Sequence, residues 1–138
     1  MAQPVSQRAC AALDRFSTPT REWFRSAFAA PTAAQAQAWD ATADGASVLV
    51  SAPTGSGKTL AAFLAALDRL LTAPATAERA TRTRVLYVSP LKALAYDVDR
   101  NLRAPLTGIQ QVAARLGVDV AAVEVGMRTG DTPADQRR

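Results

Sequence analysis

The chain has 138 residues, one domain's worth at most, and 31 of them are alanine, so its 49% hydrophobic content overstates the core it can bury. The longest apolar run, Leu60–Leu67, is far short of the roughly 20 residues of a spanning helix, and the first ten residues have no apolar signal core, which predicts a cytoplasmic protein with no membrane partner. A net charge of +4 permits contact with a polyanion, the single Cys10 excludes an internal disulfide and predicts a free thiol, and the absence of histidine removes the commonest general base and argues against zinc.

Ser17 and Thr18 precede Pro19, which suits a first helical turn, and Glu22, Trp23, Phe24 and Phe28 follow at helical spacing. A short amphipathic helix is predicted over residues 19–29. Pro31 and Thr32 open a second helix that runs through Gln35 and Trp39 and stops at Asp44-Gly45, a C-terminal glycine signal. Both tryptophans fall among apolar residues at helical spacing and are assigned to packing. The Gln35 carboxamide has two readings: an exposed side chain at a helix start, or a group that donates to and accepts from one edge of adenine while an aromatic ring covers its face. Phe16, Phe24 and Phe28 are the ring candidates, and the residues alone do not choose among them.

Val48–Ala52, apolar but for Ser51, reads as a first strand of the kind covered on both faces. It breaks into Pro53-Thr54-Gly55-Ser56-Gly57-Lys58-Thr59, and a helix follows to about Leu71. This is the spacing of a phosphate-binding loop. Gly55 and Gly57 let the backbone bend around an anion and point successive N–H groups inward, and the helix start adds its positive dipole end. Lys58 suits the β and γ phosphates as a mobile point charge, and the Thr59 hydroxyl suits a magnesium shell, so the expected ligand is ATP with Mg2+. Ala52 stands where the general pattern has glycine, which is compatible if that position keeps ordinary strand dihedrals.

Residues 72–83 read as a surface connection and Arg84–Ser89 as a second buried strand ended by Pro90. Leu91, Leu94, Ala95 and Val98 then recur at helical spacing, and a separate helix is predicted from about Pro105 to Leu116, closed by Gly117. Val118–Val125 supplies a third strand, and the alternating order predicts an α/β parallel sheet with flanking helices. Two further segments carry candidate chemistry. Pro90 and Lys92, at a helix start beyond the second strand, suit nucleic-acid phosphates or equally a proline-capped helix with a solvated lysine. Arg128, Thr129, Gly130 and Asp131 beyond the third strand suit backbone and hydroxyl contacts to a single strand, or a plain turn in which Thr132 caps a helix starting at Pro133. The chain uses 14 arginines and only two lysines, and both lysines, Lys58 and Lys92, fall in these motifs.

Together these pieces resemble the first RecA-like motor domain of superfamily 2 DEAD/DEAH-box-like helicases, most closely the bacterial large helicase-related (Lhr) family. The matching residues are Phe28 with Pro31-Thr32-x-x-Gln35, Ala52-Pro-Thr-Gly-Ser-Gly-Lys-Thr59, Leu86-Tyr-Val-Ser-Pro-Leu-Lys-Ala-Leu-Ala95, Asn101-Leu-Arg-Ala-Pro-Leu106 and Arg128-Thr-Gly-Asp-Thr-Pro133. The resemblance implies a partial RecA-like fold and an ATP-dependent motor on single-stranded or duplex nucleic acid, with DNA and 3′ to 5′ movement favoured. It implies that Phe28 and Gln35 meet adenine, that Thr54, Gly55, Ser56, Gly57, Lys58 and Thr59 hold the phosphates and Mg2+, and that Pro90, Lys92 and Arg128–Asp131 touch the strand. It also divides the chain into a lead-in over residues 1–15, adenine-recognition helices over 16–46 and the ATP-binding portion over 47–138.

The family's acidic pair, in which one carboxylate orients magnesium and the other polarises water, is not matched, since no Asp-Glu dipeptide occurs in the sequence. The expectation is therefore an N-terminal piece of a longer helicase that binds ATP without hydrolysing it alone. The alternative is a stand-alone, non-catalytic ATP- or nucleic-acid-binding module.

Overall fold

The computed structural model describes residues 11–74, 81–133 and 135. Cys10 and most of the lead-in lie outside them, as do residues 75–80 of the surface connection. Among the described residues, a 3-10 turn at Ala12–Arg15 is followed by four helices: α1 (Thr18–Ala27), α2 (Ala33–Ala43), α3 (Lys58–Thr72) and α4 (Lys92–Leu116).

Both ends of α2 and the end of α4 have local causes. Helix α2 begins with a complete capping box: the Thr32 hydroxyl accepts from Gln35 N at 3.2 Å, and Gln35 Oε1 accepts from Thr32 N at 2.9 Å. It ends at Asp44 and Gly45, the latter at φ +78. Helix α4 ends at Gly117, whose φ of +67 lets Val118 N bond back to Ala113 O at 2.9 Å. Helix α1 is closed from a distance. Its N-cap Ser17 has no local side-chain cap, and the buried Asp68 of α3 accepts from Ser17 N at 3.2 Å and from Ser17 Oγ at 2.5 Å.

The core lies between these helices. Trp39 of α2 is 1% exposed and donates its indole N–H to Ala61 O of α3 at 3.1 Å, so its polar tip is satisfied where its ring is buried. Phe16 and Phe24 meet Trp39 edge to face at ring separations of 5.0 and 5.7 Å. Leu64, Leu67 and Leu71 of α3 and Leu102, Leu106 and Ile109 of α4 complete the cluster. Trp23 packs against its edge, in a notch at Gly108 of α4 where an added Cβ would stand 2.2 Å from the indole nitrogen.

Two expectations are corrected. The first is the fold class: among the described residues there is no β-strand or sheet, and the parallel three-stranded sheet read from Val48–Ala52, Arg84–Ser89 and Val118–Val125 is not formed. These runs carry no regular secondary structure, and Leu49, Leu86 and Val88 are 95%, 82% and 79% exposed. Local β-propensity selects an extended backbone, whereas a strand exists only when a neighbour accepts and donates its ladder bonds. The third run comes nearest. Its residues alternate from half-buried Ala121, Val123, Val125 and Met127 to exposed Ala122, Glu124, Gly126 and Arg128, and Ala121 N donates to Leu71 O at the end of α3 at 2.8 Å.

The second correction concerns α4, which is one continuous helix of 25 residues rather than two. Pro105 sits inside it and is buried against the core, so packing offsets the one helical hydrogen bond that its ring nitrogen cannot donate. Among the described residues no helix is long and apolar enough to cross a membrane.

Candidate nucleotide and nucleic-acid site

The phosphate loop takes the conformation its glycines permit. Gly55 and Gly57 have φ of +81 and +80, in the left-handed region that other residues enter only at a cost. Among the described residues no non-glycine has a positive φ, so Ala52 is accommodated without strain. Ser56 N donates to Pro53 O at 3.3 Å and closes the turn, and Gly57 is the N-cap from which α3 springs, with Ala61 N bonded to Gly57 O at 2.9 Å.

Side chains from two elements converge here. The Thr32 hydroxyl, besides capping α2, donates to Ser56 O at 3.1 Å. Gln35 is 5% exposed, and its Nε2 donates to Gly57 O at 3.3 Å. The fit is close enough that a Cβ on Gly57 would stand 2.3 Å from Gln35 Nε2 and 3.2 Å from its Cδ. Gly57 is therefore required twice, for its dihedral and for the space it leaves. The α2 start and the phosphate loop form one hydrogen-bonded unit, which the sequence spacing alone did not disclose.

The Lys58 ammonium folds back over the loop and donates to Ala52 O at 2.5 Å and Pro53 O at 2.7 Å. Thr54 and Thr59 are exposed. Ser56 Oγ is buried without a hydrogen-bond partner. Left-handed glycines, an ammonium resting on replaceable carbonyl partners and an unpaired hydroxyl at a helix N-terminus form a donor set suited to a polyphosphate.

Of the three aromatic candidates, Phe16 and Phe24 are buried in the core, whereas Phe28 is 45% exposed. Its ring is backed by Phe24 at 4.9 Å and by Trp23 at 6.0 Å, edge to face.

The second candidate group is also drawn together. Lys92 is the first residue of α4, and its ammonium forms an ion pair with the Asp131 carboxylate, 39 residues away in sequence. Asp131 is held in a turn in which Thr132 N donates to Thr129 O at 3.1 Å, Thr129 N to Thr132 Oγ1 at 2.9 Å and Asp131 N to Thr129 Oγ1 at 3.3 Å. Pro90, Arg128 and Gly130 are exposed on the flanking segments and Thr129 is half-buried. The sequence also missed the Ser17–Asp68 contact. Its signal was an acid at the i+4 position from Leu64 on the apolar face of α3, a place where an unpaired charge is costly.

The family model for DEAD/DEAH box helicases matches residues 32–137. The chain is 64% identical over 126 residues to the Lhr helicase/probable uracil glycosylase of Mycolicibacterium smegmatis and 52% identical over 128 residues to the Lhr helicase/uracil glycosylase of Escherichia coli. The matches cover 91% and 90% of this chain and 8% of each relative, so the chain spans a small part of their length. A solved structure of the Mycobacterium smegmatis helicase Lhr, bound to ssDNA and AMP-PNP, is similar with a TM-score of 0.81 at 61% identity, over 91% of this chain and 15% of that one. On the strength of the matched 106-residue span and these relatives, the chain belongs to the DEAD/DEAH box helicase family.

Proposed function

We propose that this chain supplies nucleotide-binding and strand-binding surfaces of an ATP-dependent helicase motor that acts on DNA in the cytoplasm, moves 3′ to 5′ along one strand and unwinds duplex ahead of it. The observation that carries the reading is the bonded unit of Thr32, Gln35 and the Ser56-Gly57 backbone, which ties an adenine-side helix to a phosphate loop. Phosphates lie against the N–H groups of residues 54–59, and Lys58 leaves the Ala52 and Pro53 carbonyls for the β and γ oxygens. Thr59 supplies a hydroxyl to Mg2+, which when bound neutralises phosphate charge. Gln35 retains one N–H on Nε2 and a second lone pair on Oε1 for the adenine edge, and the open face of Phe28 covers the base. Residues 16–46 thus serve as the adenine-recognition part and residues 47–138 as the ATP-binding part. Pro90, Lys92 and Arg128–Asp131 form the surface for the strand backbone.

The nucleotide and strand reported with the M. smegmatis structure support this reading. Chemistry further requires carboxylates to orient magnesium and polarise water, and this sequence has no Asp-Glu pair. The chain by itself binds ATP without turnover. A coupled phosphate-release assay with single-stranded DNA tests this point: turnover at about 1 per second or faster, a motor-like rate, contradicts it.

A further inference from the structure

A carboxylate on a surface meant for a polyanion needs a reason, and Asp131 has one. Its side chain does not stand beside Lys92 by chain proximity, because the two are 39 residues apart and belong to different segments. The turn that carries it is closed by three hydrogen bonds within Thr129–Thr132, so its direction is built in. Lys92 needs such a partner: it opens α4, whose N-cap Leu91 provides no side-chain cap, and the lysine is 46% exposed on a flexible stem. A negative group there also complements the positive end of α4.

We propose that Asp131 is a positioning residue: it holds the Lys92 ammonium, and with it the start of α4, in register with the Thr129–Thr132 turn so that both present one surface to a nucleic-acid backbone. This rests on the reading of Lys92 as a strand contact and gives Asp131, within that same surface, a role that acts through Lys92. The sign of one substitution separates it from simple charge. Removing Asp131 raises the net charge by one, so Coulomb attraction alone strengthens binding to a polyanion. Loss of positioning weakens it instead.

The test is fluorescence anisotropy of a labelled oligodeoxythymidylate with the wild-type chain, Lys92→Ala, Asp131→Ala and Asp131→Glu, each across a salt series. Asp131→Ala is expected to bind about threefold to fivefold more weakly, the scale of an exposed ion pair, and to lose about 0.7 from the salt slope, one phosphate contact on a single strand. Asp131→Glu, which keeps the carboxylate, is expected to restore both. Tighter binding by Asp131→Ala overturns the proposal while leaving the strand surface intact. Undiminished binding by Lys92→Ala, or no DNA binding by the wild type, removes the reading beneath it and overturns both. If Asp131→Ala loses its helical circular-dichroism signal, the swap of Lys92→Asp with Asp131→Lys decides: retained DNA binding is expected, and its loss overturns the proposal.

Discussion

Gly57→Ala tests the joint between α2 and the phosphate loop. Two costs are separable. A side chain at φ +80 costs about 1–2 kcal/mol for the left-handed backbone alone. The new Cβ would also stand 2.3 Å from Gln35 Nε2, a contact that forces the carboxamide out. Its displacement forfeits the bonds from Thr32 N to Oε1 at 2.9 Å and from Nε2 to Gly57 O at 3.3 Å, each contributing about 1 kcal/mol. The single substitution is therefore expected to cost about 3–4 kcal/mol, and Gln35→Ala about 2 kcal/mol. In the Gln35→Ala background only the dihedral cost remains, so the two are coupled by about 2 kcal/mol in a double-mutant cycle. Urea denaturation of the four proteins, followed by circular dichroism, measures it. Costs that add to within about 0.5 kcal/mol would refute the packing of Gln35 on Gly57 as the reason this position is glycine.

Gly108→Ala ought to stabilise a helix interior by about 0.8–1 kcal/mol, yet the Trp23 indole fills the space, so destabilisation by about 1–3 kcal/mol is expected. Combining it with Trp23→Leu should reverse the sign, and a thermal melt that shows stabilisation with Trp23 intact contradicts the notch. Asp68→Ala leaves the Ser17 N–H and hydroxyl without their buried acceptor and should cost about 1.5–3 kcal/mol. An unchanged melting temperature would mean that α1 is capped in another way.

What the sequence made legible was local. The Thr32–Gln35 start of α2, the Asp44-Gly45 and Gly117 stops and the glycine dihedrals of the loop each follow from a residue and its near neighbours. The strands failed because pairing is a property of two segments. Val85–Val88 has the composition of a buried strand, but its side chains are exposed and no ladder satisfies its backbone. Pro105 misled in the opposite sense: proline usually marks a helix start, and here burial against the core carries the helix through it. At the site, the residue types of the loop were legible, whereas the Gln35–Gly57 and Lys92–Asp131 contacts were not, since each joins positions that only the fold brings together.

We propose that Ala52–Thr59 is a nucleotide site whose Lys58 engages the phosphates. Calorimetric titration of ATP with Mg2+ into the wild-type chain and into Lys58→Ala tests it most directly. Saturable binding by the wild type is expected, with a loss of about 1.5–3 kcal/mol, roughly 10- to 150-fold in affinity, in the variant. Undiminished affinity in Lys58→Ala would contradict it.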